Sequence, residues 1–372
     1  MLKVGLLGTG YGFEVIAPAF KANHLYTLMS VFSRDVKTAK EVKKRVGFKR
    51  YYGEWKKLID DGGIDIACIA TPVYTHYEIA KYALENGINV IIAAPFTLDV
   101  EEAEELSDLA NKRELMGIVS HHFNFFPARK YVTRMLKDGK IGVIQHIHRL
   151  YRTANKMKYQ TTQSWKFNEQ FGGGTLNIIG SHDIDFMLRG VGGVHRVQAI
   201  KQTMYPNRVT HNDEVFQCTS DDAYQMNVEF HNGAKGAMSA TSVYPGKNMN
   251  EFLFYGTEGL LVLRDDNEIL FYDKEGRKER VAIPPNYQIT NLPGNKESSP
   301  FYMLIEAFAS ALYNNTEVTP TLDEAVHIQR VLNAAHRSSE DHEWVEIGSD
   351  DANVSKPRKK PATPPSIDKI YK

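Results

Sequence analysis

The chain is poor in cysteine, has no apolar run long enough to cross a bilayer, and carries no excess of either charge. Cys68 and Cys218 are its only thiols. Two cysteines make no disulfide framework and no thiolate zinc set, which suits a reducing compartment, and a cytoplasmic protein is expected. Cys68 lies inside an apolar strand pattern and reads as a small core residue. Lysine plus arginine equals aspartate plus glutamate, 45 against 45, so nothing in the charge points to nucleic acid or a membrane surface. No transmembrane span and no signal peptide are expected. What the chain does have is an apolar share of 42%, ample for packed cores, and a length that favours two domains.

The organising stretch is Lys3-Val4-Gly5-Leu6-Leu7-Gly8-Thr9-Gly10-Tyr11-Gly12-Phe13. Val4 to Leu7 is a short buried strand pattern. It breaks at Gly8, and a helical pattern follows through Val15, Ile16 and Phe20. Strand, glycine turn and helix form the first unit of a dinucleotide-binding fold. Gly8 allows the tight turn, and Gly10 has no Cβ to hold off a pyrophosphate. The helix presents free N–H groups and its positive dipole end to that phosphate. A third glycine would fall at Phe13 in the usual spacing; Gly12 stands one residue early.

Further along, Tyr26 to Phe32 reads as a second strand followed by Ser33-Arg34-Asp35. An acidic residue at this place would hold the ribose 2′-hydroxyl of NAD. A small hydroxyl and a guanidinium suit a 2′-phosphate, so NADP is favoured with NAD as the alternative; a turn whose arginine merely faces water is the plainer reading. Ile64 to Ala70 is a continuous apolar strand pattern ending at Thr71-Pro72 and His76, with Thr75 and Glu78 spaced as a capping box. Asn89 to Ile92 is another strand, ending at Ala93-Ala94-Pro95. Asp99 with Glu102 opens a helix, and Met116 to Ser120 is a strand again. Strands alternating with helices at this spacing predict a doubly wound parallel sheet over residues 1–120.

From residue 121 the pattern changes. His121 and His122 end the last strand; adjacent side chains on a strand point to opposite faces, so no metal site is expected. A helix from Ala128 to Lys137 and a strand from Val143 to Leu150 follow. Trp165-Lys166 leads to Gly172-Gly173-Gly174-Thr175 and a helix carrying His182 and Asp185 one turn apart. On its own, His182 reads as a half-buried imidazole hydrogen-bonded to Asp185 or to backbone. Tyr224, Met226, Val228 and Phe230 alternate with polar residues, and Asn232-Gly233 makes a hairpin turn. Residues 121–348 are thus expected to form an α+β domain with a large, mainly antiparallel sheet, closed by two late helices from Phe301 and Thr321. A polar, basic, proline-rich tail occupies 349–372.

The G-T-G-Y-G opening, Ser33-Arg34, Ala70-Thr71-Pro72 with His76, the Pro95 turn, and Gly172 through His182 together resemble the Gfo/Idh/MocA oxidoreductases, from about residue 2 to residue 347. The resemblance implies a nicotinamide cofactor held by Gly8, Thr9, Gly10, Tyr11, Gly12, Phe13, Ser33, Arg34, Thr71, Pro72, His76, Ala93, Ala94 and Pro95. It implies hydride transfer to or from a sugar or polyol, contacts to substrate from Asn124, Trp165, Asn177 and Ile178, and a homodimer or homotetramer formed through the second-domain sheet. It also places His182 in the substrate pocket as a proton-exchanging group, a task that suits an imidazole.

Two departures stand out. The family carries Glu-Lys-Pro where this chain has Ala93-Ala94-Pro95, and often an aspartate where this chain has Ile178. An alanine neither donates a proton nor polarises a carbonyl. Three readings stay open: an oxidoreductase in which His182, Lys166, Tyr151 or Tyr159 supplies the proton; a nucleotide-binding regulatory or sensor protein with little or no turnover; or an alanine introduced in place of a lysine.

Overall fold

The computed structural model describes residues 1–61, 63–158, 160–288, 295–316 and 318–348. Tyr159 and the tail from 349 lie outside the described residues. The first six strands are β1 (Leu2–Leu7), β2 (Tyr26–Phe32), β3 (Arg50–Tyr52), β4 (Ile66–Ile69), β5 (Asn89–Ala93) and β6 (Gly117–Ser120). They form one all-parallel sheet in the order β3-β2-β1-β4-β5-β6. The order reverses beside β1, so the crevice opens at the carboxyl ends of β1 and β4. The central strands are buried on both faces, Ile66 through Ile69 without exception, as a parallel sheet requires. The sequence reading missed β3. It is a short edge strand with two of its three residues exposed, so it has no apolar pattern to read.

Around this sheet lie α1 (Ala17–Ala22), α2 (Val36–Val42), α3 (Trp55–Asp60), α4 (His76–Glu85) and α5 (Val100–Lys112). The capping box expected at Thr75 is not made. The chain enters α4 through a 3-10 turn, Val73–Thr75, so Thr75 is already helical. Its hydroxyl turns back to Thr71 Oγ1 and the Pro72 carbonyl, each at 2.7 Å. At α5 only half of the predicted box forms: Asp99 accepts from the Glu102 N–H, while the Glu102 carboxylate accepts from the Leu98 N–H.

The second domain contributes α6 (Pro127–Lys137), α7 (Ser181–Gly190), and strands β7 (Ile144–Arg152), β8 (Val194–Gln202), β9 (Asn207–Val209), β10 (Val215–Gln217), β11 (Ala223–Phe230), β12 (Lys235–Thr241), β13 (Met249–Gly256), β14 (Gly259–Arg264), β15 (Glu268–Asp273), β16 (Lys278–Val281) and β17 (Val345–Glu346). Nine of them make one sheet, β16-β15-β14-β13-β7-β12-β11-β8-β17, antiparallel except where β7 meets β12. Tyr224, Met226, Val228 and Phe230 point into the core with α6 and α7, while Gln225 and Asn227 face outward. The Asn232-Gly233 turn joins β11 to β12 with Gly233 at φ +86.

Of the two late helices, only the second helps to close the second domain as expected. In α8 (Ser298–Asn314), Phe301, Leu304, Ile305 and Phe308 join the core of Val4, Leu6, Val15 and Phe20 on the first sheet. In α9 (Leu322–Asp341), Leu322, Ala325 and Val326 pack on the other face of that sheet, and Ile328, Val331 and Leu332 pack on the nine-stranded one. Thr321 and Glu324 do form the predicted capping box at its start. Periodicity identifies an apolar helix face but not which sheet it covers. α9 thus ties the two sheets together.

Candidate active site

The glycine turn is shaped as its residues predicted. Gly8 sits at φ +108, and a Cβ there would lie 2.4 Å from the Ala70 carbonyl oxygen, so no other residue fits. A Cβ on Gly10 would meet nothing within 4 Å; its backbone faces open space that a phosphate can approach. A Cβ on Gly12 would lie 3.3 Å from the Leu6 side chain of β1. Gly12 gives the close helix–strand contact that the third glycine of the usual spacing provides. Phe13 therefore is free to be bulky, and its ring lies under the Arg45 guanidinium at 4.7 Å. Thr9 Oγ1 donates to Ser33 Oγ at 3.1 Å, joining the turn to the end of β2. Arg34 is exposed there. The nearest acid, Asp35, is occupied as the cap of α2: it accepts from the N–H groups of Lys37 and Thr38 and from the Thr38 hydroxyl. These groups fit a dinucleotide with its pyrophosphate on the glycine turn.

The next strand ends are tied together by His76, which is fully buried. Its Nδ1 lies 3.0 Å from the Phe96 carbonyl and its Nε2 2.8 Å from the Thr71 carbonyl. The imidazole thereby locks the Thr71-Pro72 turn to the turn that carries Ala93, Ala94 and Pro95; the Ala94–Pro95 peptide is cis. His76 was expected to touch a cofactor, but both its nitrogens are engaged with backbone.

His182, on α7, has 7% of its surface exposed. Its ring stacks on Phe123 with centroids 4.0 Å apart and meets His121 and His122 edge-on, each at 5.4 Å. The expectation that His121 and His122 face apart fails. The strand ends at Ser120, and the chain turns at His121 into the 3-10 turn His122–Phe125, which brings both rings onto His182. His182 makes no bond to Asp185 either. Asp185 is paired with Arg189 at 2.9 Å and with the Asn124 amide. The Nδ1 of His182 is buried without a partner, as are both nitrogens of His121. Burial, followed by the neighbouring His121, His122 and Arg129, holds the His182 pKa well below its usual value. Burial likewise lowers His121 to about 3 and His122 to about 4. The three imidazoles are neutral at pH 7. Among the described residues no group of histidine, cysteine, aspartate and glutamate is arranged to hold a metal.

Beneath this pocket lies a buried ionic network that the sequence reading missed. Arg149 Nε donates to Asp183 at 2.7 Å, and Arg129 Nε donates to Asp266 at 2.6 Å. Asn250 joins the two through Arg149 Nη1 and Asp266. Both guanidinium groups stack on Phe252, and Arg129 lies 5.6 Å from the Phe123 ring. Four charged groups so placed are stable only because each is paired. Asp183, a carboxylate next to His182 within an apolar helix pattern, was the one available signal.

The triple glycine is also explained by contacts. A Cβ on Gly172 would strike Val73, on Gly173 the Trp165 and Lys166 carbonyls, and on Gly174 the Asp221 carboxylate. Asn177 was expected at the substrate. Its amide instead donates to the Gly173 carbonyl at 3.1 Å, and its oxygen lies 2.7 Å from His336 Nε2 of α9. Asn124 is similarly committed to Asp185. Ile178 and Trp165 are half-buried, and Lys166 is exposed. Lys166 is near enough to Glu297 to oppose the upward shift that burial gives that carboxyl. Tyr151 packs against Arg149. Tyr11 of the glycine turn reaches the histidine cluster: its Oη lies 2.8 Å from His122 Nε2.

Known proteins share this fold. Residues 2–121 match the oxidoreductase family with an NAD-binding Rossmann fold, and residues 130–262 match the GFO/IDH/MocA C-terminal domain. An uncharacterized oxidoreductase of Synechocystis sp. is 25% identical over 93% of this chain and 96% of its own. Levoglucosan dehydrogenase of Pseudarthrobacter phenanthrenivorans is 24% identical over 93% and 98%. The solved structure of levoglucosan dehydrogenase in complex with NADH and levoglucosan superposes with a TM-score of 0.85 at 24% identity, covering 93% of this chain and 99% of that one. That likeness establishes the shared fold. With both halves matched in order, the chain belongs to the Gfo/Idh/MocA family of oxidoreductases.

Proposed function

We propose that the protein is an NAD(P)-dependent oxidoreductase acting on the CH–OH group of a sugar or polyol, with a proton-handling site that does without the family lysine. The observation that carries this reading is the Tyr11–His122 hydrogen bond. It brings the glycine turn to the ring that meets His182, which supports a cofactor and a substrate meeting between them. The relative that is a levoglucosan dehydrogenase supports a carbohydrate-like substrate.

The nicotinamide nucleotide, when bound, supplies the hydride chemistry; the chain supplies the rest. Gly8, Gly10 and Gly12 seat the pyrophosphate, and Thr9, Ser33 and Arg34 meet the adenosine ribose. We favour NADP over NAD because Asp35 is tied to the cap of α2 and Arg34 carries positive charge where a 2′-phosphate would sit. The turns at Thr71-Pro72 and Ala93 to Pro95 line the nicotinamide side. His182, neutral at pH 7, accepts a hydrogen bond from the reacting hydroxyl and exchanges its proton. Lys166 adds positive charge at the edge of the pocket. The outward face of the nine-stranded sheet, which exposes Ile200, forms the subunit contact, and the protein works in the cytoplasm.

Fluorescence titration with NADPH and NADH tests the first half, and a panel of sugars and polyols with NADP and NAD tests the second. Tight NADPH binding with turnover of at least one polyol is the expected result. A second reading, a nucleotide sensor without turnover, draws on Ala94 and Ile178 standing where acid–base and polar groups are usual. Binding with no turnover on any substrate, and turnover gained by Ala94→Lys, would favour it.

A further inference from the structure

The Tyr11–His122 bond belongs to a longer chain of hydrogen bonds whose protons the reading above does not use. Tyr11 Oη lies 2.8 Å from His122 Nε2 and 3.1 Å from Glu297 Oε2, and His122 Nδ1 lies 2.9 Å from the Ser120 carbonyl. A count of hydrogens is informative. A carbonyl oxygen only accepts, so Nδ1 carries a hydrogen. In a neutral imidazole Nε2 is then an acceptor and takes the single hydroxyl hydrogen of Tyr11. Tyr11 has one hydroxyl hydrogen for two neighbours: given to the Glu297 carboxylate, it leaves His122 to donate from Nε2, and given to His122 Nε2, it requires a protonated Glu297 that donates to the tyrosine oxygen. The second arrangement becomes the first by shifting two protons together. The Tyr11 proton passes to His122 Nε2 and the Glu297 proton passes to Tyr11, leaving an imidazolium and a carboxylate. Both arrangements hold one proton more than neutral His122, neutral Tyr11 and ionised Glu297 hold apart. No electrons move between them.

We propose that Glu297, Tyr11 and His122 form one proton-sharing unit that holds a proton beside His182 and sets the pH at which His182 exchanges one with substrate. The proposal rests on the oxidoreductase reading for its link to His182, but not for the unit itself. Its placement is the main support. Tyr11 belongs to the glycine turn, Glu297 stands at the N-terminal end of α8, and the His122 ring meets the His182 ring edge-on at 5.4 Å. The three residues come from three distant parts of the chain and converge only here. Where the family places a permanent ammonium, this chain has Ala94, so no fixed charge at that position competes with a nearby group of variable charge.

The surroundings favour the proton on Glu297. Burial raises both Glu297 and Tyr11, and lowers His122 to about 4. Glu297 is faced by Lys166, Lys296 and Glu14; Tyr11 by Glu297; and His122 by His121, Arg129 and His182. As pH rises, the unit loses its proton from Glu297 and becomes negative. That charge favours a proton on His182. Glu297, Tyr11 and His122 are positioning residues here: they act through His182.

The test pairs nitrogen NMR of the histidines with a pH profile. In the wild-type protein His122 is expected as the Nδ1–H tautomer accepting at Nε2, or as an imidazolium. Tyr11→Phe should move the His122 Nε2 signal and shift the apparent pKa of kcat by about one pH unit. Glu297→Gln, whose amide donates as the protonated acid does, should leave the His122 signals in place and remove the unit's step from the profile. An Nε2–H tautomer with bare Nδ1 would overturn the unit, as would Tyr11→Phe leaving both the nitrogen signals and the profile unmoved. If no substrate turns over, the oxidoreductase reading fails while the NMR arm still decides the unit.

Discussion

The two walls of the cleft are made of different material. The first-domain wall is backbone: glycines, turn carbonyls and helix N–H groups, with His76 holding two turns by their carbonyls. The second-domain wall is side chain: three neutral imidazoles, one stacked on Phe123 beside Arg129, above a buried network of two arginines and two aspartates. A backbone site tolerates changed side chains nearby, so the position of Ala94 can lose a lysine without disturbing the glycine turn. A side-chain site has no such tolerance, because every buried polar group depends on a partner.

Experiments can break or sharpen this contrast. The largest effects fall on the chemistry: His182→Ala should lower kcat by about 10²–10⁴-fold, and Ala94→Lys should raise it within the same range, both read in steady-state assays with NADPH binding unchanged. Next, Asp183→Ala removes the carboxylate to which Arg149 Nε donates and should cost about 3–5 kcal/mol in urea unfolding, whereas Glu54→Ala, which breaks an exposed pair with Lys57, should leave the unfolding midpoint almost unmoved. Two glycine variants separate folding from binding. Gly8→Ala should lose both stability and nucleotide affinity, while Gly10→Ala, whose methyl meets nothing in the protein, should keep its melting temperature and lose affinity alone.

A pH titration distinguishes the two walls further. His182, His121 and His122 are held neutral in the folded state, so the unfolded chain binds more protons below its usual histidine pKa. Stability is therefore complete above about pH 6.5 and falls as pH drops below it, by up to about 1.4 kcal/mol per pH unit for each histidine. Replacing His121 with Phe should reduce that slope in acid unfolding curves. Glu169 acts lower. Burial raises its pKa, but His336 and Lys201 outweigh burial and bring it down to about 2. Its contribution is present above the ordinary glutamate range and is lost as pH falls toward 2, a limb that Glu169→Gln should flatten. The smallest effect is expected at the ribose: Arg34→Ser should weaken NADPH by about tenfold, roughly the 1.4 kcal/mol of one exposed charge–phosphate contact, and leave NADH nearly unchanged.

Much of the first wall was legible in the residues. Gly8, Gly10, Thr71, Pro72 and Pro95 mark strand ends, and strand ends of a doubly wound sheet must meet at one crevice. The second wall was legible only in outline. His182 could be placed in a pocket, but its partners could not: Asp185, one turn away, goes to Arg189 and Asn124, and Asn177 goes to His336, 159 residues distant. The His121-His122 pair was misread because strand geometry was extended one residue past Ser120, where the chain had already turned. The capping box at Thr75 failed for the same kind of reason: the turn before the helix redirected the hydroxyl.

What the sequence determined by itself is everything with a short period or a steric demand: alternating strands, amphipathic helices, glycines at positive φ, the parallel sheet and its crevice. These follow from local backbone geometry and from burial of apolar faces. The tertiary structure alone decided which sheet α8 and α9 cover, which carboxylates neutralise Arg129 and Arg149, and that Tyr11, His122 and Glu297 share a hydrogen-bonded chain. Such pairings join residues up to 286 positions apart. They are settled by which groups burial leaves in need of a partner, and no local pattern carries that information.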